Sequence, residues 1–183
     1  RGLGDVYKRQ RLGSLRPSLP APDAIFGACL KGYDGAMADL SPEEKRRLLR
    51  ASSLFQELSD AELDELVPLA RHTSVNAREE LFHQGDPGSQ LYVVVRGRLK
   101  VLTTSSQGDE IVFNILGPGE VVGELAVLNQ AERTATVKAI DVSELISLHQ
   151  RDLFRFLQTH PDAGIKLAGI LAARVTNLSD LLS

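Results

Sequence analysis

The chain has 183 residues, of which 43% are hydrophobic and 25% are charged, and its formal net charge is −3. This composition is typical of a globular domain, and so small a net charge excludes a strongly basic chain that would be drawn as a whole onto nucleic acid. No apolar run reaches the roughly 18 residues of a membrane span, and the one cysteine, Cys29, excludes an intrachain disulfide or a cysteine metal cluster. We therefore expect a cytoplasmic protein with no membrane segment and no nucleic acid bound by this chain alone.

The beginning of the chain shows neither helical nor strand periodicity. It has three prolines between residues 17 and 22, among many glycines and alanines, which predicts a disordered leader over 1–40. Residues 5–10 read DVYKRQ and resemble a translated sequencing adaptor, so that 1–10 are expected to be non-native; a natural polar leader is the alternative. The folded domain is expected over 41–183.

Two helix starts open the domain. Ser41 and Ser59 are each followed three residues later by glutamate, which is the pattern of a capping box. The first helix is expected to end near Arg50. The second carries Pro68, which is expected to kink it.

Short runs rich in β-branched residues follow, including 91–95 and 137–148, and turn residues separate them. Because no helices alternate with these runs, we expect an antiparallel β-roll over about 73–150. Helices return at about 151–158 and 162–182. The predicted fold class is α+β and mainly β: a jelly-roll-like, double-stranded β-helix flanked by N-terminal helices and a C-terminal helical pair.

The last helix carries apolar residues at alternating steps of three and four, which form a short heptad pattern. One hypothesis is a homodimer through this C-terminal helix, and the other is a helix that packs on its own domain. The apolar positions are Ala168, Leu171, Val175, Leu178 and Leu182.

A glycine-led segment carries the strongest functional signal. Gly123 lets the backbone approach a ligand closely, and a helical turn over Leu125–Leu128 would present N–H groups that attract an anion. Arg133 could place its planar fork on the same anion. Glu124, an acceptor, would suit the hydroxyl groups of a sugar. The combination predicts a phosphate joined to a sugar, although Arg133 could instead form a surface ion pair with Glu124 or Glu132.

From about residue 54 to 182 the chain resembles the cyclic-nucleotide-binding domain family, which includes catabolite activator proteins and protein kinase A regulatory subunits. Gly85-Asp86, the run 116–119 and the nine-residue step from Glu124 to Arg133 carry this resemblance. It implies a sensor of cAMP, with cGMP as the less favoured ligand. The sensor is expected to have no cofactor, no metal and no catalytic residues. By the same resemblance Glu124 would bind the ribose 2′-hydroxyl and Arg133 the cyclic phosphate.

The resemblance also places Thr134 where a hydroxyl can contact the phosphate or a guanine base, so cGMP stays open. It implies a final helix that reorders when nucleotide binds and regulates an attached or partner output. The expected ligand-binding residues are Gly123, Glu124, Leu125, Ala126, Arg133, Thr134 and Ala135.

Three other functions compete with such a sensor module. A metal enzyme of similar shape would need clustered histidines, whereas His72, His83, His149 and His160 are dispersed and are expected to be surface or capping residues. The chain could be the N-terminal sensor half of a truncated transcription regulator of the catabolite activator type. It could also be a degenerate domain that serves protein contacts.

Overall fold

The computed structural model describes the backbone of residues 39–182 and the side chains of residues 39–173. Cys29, the adaptor-like segment and the leader up to residue 38 lie outside the described residues. The elements in chain order are α1 (Pro42–Ala51), α2 (Asp60–Leu66), a 3-10 helix (Val67–Leu69), β1 (Arg71–Val75), β2 (Glu80–Phe82), β3 (Gln90–Arg96), β4 (Leu99–Thr104), β5 (Glu110–Leu116), β6 (Val121–Val122), α3 (Glu124–Asn129), β7 (Thr136–Ala139), β8 (Ser143–His149), α4 (Gln150–Thr159) and α5 (Pro161–Leu182).

The eight strands form two antiparallel sheets, in the orders β1-β8-β3-β6 and β2-β7-β4-β5. One apolar cluster fills the space between the sheets and includes Val94, Leu99 and Leu145. A second cluster lies between the first sheet and the helices and includes Phe55 and Ile146. The predicted β-roll with flanking helices is therefore confirmed.

Both predicted capping boxes are present at the N-terminal helices. Ser41 and Ser59 each accept a hydrogen bond from the backbone N–H three residues later, and the glutamate there accepts one from the serine N–H. Pro68 lies in the 3-10 helix rather than within a kinked α-helix, and α2 already ends at Leu66. Leu40, the last residue of the predicted leader, is buried in the helical cluster.

The C-terminal helices begin and end within one residue of their predicted bounds. His149 starts α4 because its side chain accepts a hydrogen bond from the N–H of Arg151. Helix α5 packs on its own domain through Ala163 and Leu167, which are buried in the helical cluster. No helix in the described part is both long and apolar enough to cross a bilayer.

The heptad positions of α5 give a mixed picture. Ala168 is exposed, whereas Leu171 packs partly against the helical cluster of its own domain. The side chains of Val175, Leu178 and Leu182 lie outside the described residues. Homodimerisation through α5 stays a prediction.

Candidate functional site

A cavity of about 430 Å³ lies between α3, the segment that follows it and the strands of the roll. Its wall includes all the residues that the sequence predicted as ligand-binding: Gly123, Glu124, Leu125, Ala126, Arg133, Thr134 and Ala135. Strand residues, most of them apolar, complete the wall: Phe82, Val101, Phe113, Asn114, Leu116, Val121, Val122 and Val137.

Gly123 occupies a position that only glycine fits without rearrangement. Its φ of 82° is left-handed, and a Cβ there would lie 2.4 Å from Nη1 of Arg133. Gly123 is also the N-cap of α3, and since it has no side chain, no side-chain cap satisfies the N–H groups of the first turn. The predicted helical turn after Gly123 is thus present, with the N–H groups of Leu125 and Ala126 at its start.

Arg133 is buried, with 4% of its surface exposed. Its Nη1 donates to the carbonyl oxygen of Gly123 over 3.0 Å, and its Nη2 donates to that of Gln90 over 2.6 Å. Arg133 is therefore not at the surface, as the alternative of a surface ion pair required. A guanidinium has five N–H donors, and the buried Nε of Arg133 has no hydrogen-bond partner among the described residues.

The charged guanidinium of Arg133 is buried away from water. Burial lowers the pKa of the Arg133 guanidinium, whereas Tyr92, Asp86 and Glu124 act in the opposite direction through their charges. An arginine keeps its proton at neutral pH even so, because its ordinary pKa is far higher. The site thus presents a buried cation with an unused donor, which is a chemical match for an anion.

The turn from Gly85 to Gly88, which lies much earlier in the chain, contacts the segment around Arg133. The carbonyl of Arg133 accepts from the N–H of Gly85 over 2.9 Å, and the N–H of Arg133 donates to the carbonyl of Asp86 over 2.8 Å. A Cβ on Gly88 would lie 2.3 Å from that of Ala126. The Gly85–Gly88 turn, of which Gly85-Asp86 contributed to the family resemblance but was assigned no part in the site, therefore packs directly against the site.

The remaining predicted residues differ in exposure. Glu124 is half-buried, Leu125 and Thr134 are exposed, and Ala126 and Ala135 are buried. The structure brings all of them to one cavity, and their roles toward a ligand stay predictions.

Aromatic residues near Arg133 were not predicted from the sequence. The ring of Phe82 lies over the guanidinium, and Phe82 also stacks with Tyr92. The only available signal was an aromatic residue three positions before Gly85, which is too general to identify a contact with Arg133.

The histidines are placed as predicted with one exception. His149 caps α4, His160 ends it, and His83 lies on the surface. His72 was expected to be a surface or capping residue, but it lies in β1 with its side chain largely buried, and its Nε2 is 3.4 Å from the carboxylate of Glu144. Among the described residues, no group of three or more potential ligands could hold a metal ion.

Comparisons with known proteins identify the family. The sequence profile of the cyclic nucleotide-binding domain matches residues 72–160. The N-terminal domain of a transcriptional regulator from Streptomyces coelicolor is 34% identical, with a TM-score of 0.65, and the match covers 74% of this chain and 95% of that one. The chain belongs to the cyclic nucleotide-binding domain family.

Further relatives come from bacteria and eukaryotes. The cyclic AMP receptor protein of Thermus thermophilus is 32% identical over 138 residues, which are 74% of this chain and 64% of that protein. The regulatory domain of Toxoplasma gondii PKA with cAMP is 32% identical, with a TM-score of 0.59, over 63% of this chain and 44% of that one. This cyclic nucleotide-binding domain thus spans less than two thirds of both relatives.

Proposed function

We propose that this domain binds cAMP in the cavity beside Arg133, does no chemistry on it, and signals its occupancy through α5. The observation that carries the proposal is the buried Arg133, whose Nε–H has no acceptor among the described residues, at a cavity walled by the uncapped start of α3. A cyclic phosphate would supply that acceptor and would also accept from the N–H groups of Leu125 and Ala126.

The sugar end of the ligand is assigned to Glu124. Its carboxylate lines the same cavity one residue after Gly123. A carboxylate beside an anion would be unfavourable unless it faced donors, and the ribose 2′-hydroxyl is such a donor. Glu124 would then select a ribose over a deoxyribose.

The base is expected at the apolar strand wall. Val101, Leu116 and Val137 offer apolar surface there, and Phe113 is half exposed at the same cavity. An adenine needs few polar partners on such a wall, and the relatives whose names mention cAMP support the same ligand. Thr134 is exposed and could serve a guanine, so cGMP is the ligand to compare.

The signal is proposed to leave through α5. This helix is held to α2 by a hydrogen bond between Lys166 and Glu62, and His160, at its start, contacts Glu65. A shift of α5 on binding would break or remake these contacts, which gives the ligand two states to distinguish. The proposed setting is the cytoplasm.

The output is most simply that of a transcription regulator. The N-terminal domain of such a regulator is a solved structure of which the match covers 95%. This similarity favours the sensor half of a catabolite-activator-type protein. A domain that binds nothing and serves protein contacts is the competing function, and the following experiment separates the two.

The test is thermal unfolding of the chain with cAMP, cGMP and 5′-AMP. A ligand at a hundredfold excess over its dissociation constant stabilises the fold by about 2.7 kcal/mol. We expect cAMP to raise the melting temperature most and 5′-AMP, which lacks the cyclic ester, to raise it least. No shift with either cyclic nucleotide at millimolar concentration would support the non-binding domain.

A further inference from the structure

One aromatic ring lies over the guanidinium of Arg133, and a second ring, from the opposite sheet, stacks with the first. The Phe82 ring, in β2, lies with its centroid 4.0 Å from Cζ of Arg133. The same ring also stacks with Tyr92 of β3, at a centroid distance of 6.1 Å and an interplanar angle of 27°. Arg133 itself lies in the segment between α3 and β7, so the ring contacts join it to β2 and, through Tyr92, to β3.

Two hydrogen bonds hold the terminal nitrogens of the Arg133 guanidinium, whereas its Nε has no partner among the described residues. Both acceptors are backbone carbonyls, of Gly123 and Gln90, and Arg133 also lines the cavity. A ring held against the face of the guanidinium restricts rotation of its plane, and the attraction of a cation to an aromatic face favours this arrangement.

We propose that Phe82, held by Tyr92, is a positioning residue that keeps Arg133 aligned for the phosphate of the ligand. This inference rests on the proposed function, because it assigns the purpose of the alignment to phosphate binding. Phe82 need not contact the nucleotide for this role. Its contribution is that Arg133 is already oriented before the ligand arrives, so less ordering is required on binding.

The test compares Phe82→Leu, which keeps apolar volume and loses the aromatic face, with Phe82→Tyr, which keeps the face. Calorimetry with cAMP should show affinity about tenfold weaker in Phe82→Leu and within threefold of the parent in Phe82→Tyr. A merely structural role is checked by the Nε–H signal of Arg133 in NMR spectra without ligand. The order parameter obtained from relaxation of that signal should be kept by Phe82→Tyr and should fall in Phe82→Leu, because the leucine has no aromatic face to restrict the guanidinium.

A double-mutant cycle with Arg133→Lys separates positioning from packing. Phe82→Leu should cost about tenfold with arginine at position 133 and less than twofold with lysine there, because lysine has no planar face to align. Should Phe82→Leu fail to fold, Tyr92→Leu replaces it, and a threefold or larger loss is expected.

The outcomes are separable. If the parent binds cAMP and Phe82→Leu binds it within twofold of the parent, the inference is overturned and the proposed function stands. Equal losses in both arms of the cycle would also overturn it. If the parent chain binds no cyclic nucleotide, both the proposed function and the inference fail.

Discussion

Glu62 of α2 accepts a hydrogen bond of 2.8 Å from the ammonium group of Lys166 in α5. The same carboxylate closes the capping box with Ser59 at the start of α2. Glu62 therefore takes part both in the start of α2 and in the contact with α5, two elements that are far apart in the chain. The position of the C-terminal helix is tied in this way to the N-terminal helices.

Breaking this contact should loosen α5 without damage to the roll. Because the Lys166 side chain is 35% exposed, Lys166→Gln is expected to cost at most about 1 kcal/mol of unfolding free energy. Hydrogen exchange of residues 161–173 should become faster. Lys138→Gln, which removes an ion pair on the roll, is the matched control and should leave α5 unchanged. Equal exchange of α5 in Lys166→Gln and the parent would show that the contact holds nothing.

The same carboxylate predicts a pH dependence of stability. The hydrogen bond from Lys166, followed by those from Ser59, holds the pKa of Glu62 below its usual value against the opposing effect of burial. A carboxyl with a lowered pKa stabilises the fold fully above its unfolded pKa of about 4.3 and loses this contribution as the pH falls through the folded pKa. The stability difference between the parent and Glu62→Gln, about 1 kcal/mol at pH 7, should therefore shrink below about pH 4.

Denaturant unfolding between pH 3 and pH 7 checks this dependence. Glu44 is the control, because its pKa is lowered by its own cap residue Ser41 and its capping box has no bond to α5. In a Lys166→Gln background the pH dependence assigned to Glu62 should become smaller, whereas that of Glu44 should not change. A stability difference for Glu62→Gln that grows toward low pH would contradict the assignment.

Gly123→Ala should impair binding more than its effect on stability explains. The left-handed backbone at Gly123 makes alanine costly by about 1–2 kcal/mol, and the added Cβ would also displace the Arg133 guanidinium. Gly108→Ala is a matched control, since Gly108 has a φ of 91° and nothing within 4 Å of an added Cβ. Both variants should lose similar stability, but only Gly123→Ala should bind cAMP at least tenfold more weakly. Similar affinities would show that the approach of Arg133 to Gly123 is irrelevant to binding.

Glu124→Gln should change the selection of the sugar. A hydrogen bond to a charged acceptor contributes about 1.5–3 kcal/mol, so the variant should bind cAMP at least tenfold more weakly than the parent. Its affinity for 2′-deoxy-cAMP should stay within twofold of the parent's, because that ligand lacks the hydroxyl that Glu124 is assigned to bind. An equal loss for both ligands would remove Glu124 from the ribose contact.

Local patterns were enough to predict much of the fold. The capping boxes at Ser41 and Ser59 act between residues three apart, and the strand runs carry their own signal of β-branched residues. The seven predicted residues of the cavity wall were found for a similar reason, because they lie in one continuous segment from Gly123 to Ala135, whereas the strand residues of the wall were not predicted.

Contacts between distant residues could not be predicted in this way. The carbonyl of Gln90 accepts a hydrogen bond from Nη2 of Arg133, although the two residues are 43 positions apart in the sequence. Lys166 lies 104 positions from Glu62. Such relationships depend on how the two sheets and the helices pack, and no short pattern encodes them.

The central claim is that Arg133 binds the phosphate of a cyclic nucleotide, and calorimetric titration of cAMP into the parent chain and Arg133→Gln tests it most directly. Arg98→Gln, which breaks an exposed ion pair with Asp141, serves as the control. We predict one site per chain with micromolar or tighter affinity in the parent and in Arg98→Gln, and a loss of roughly 2–5 kcal/mol in Arg133→Gln. Binding of equal strength in the parent and a folded Arg133→Gln, or no binding by the parent, would contradict the claim.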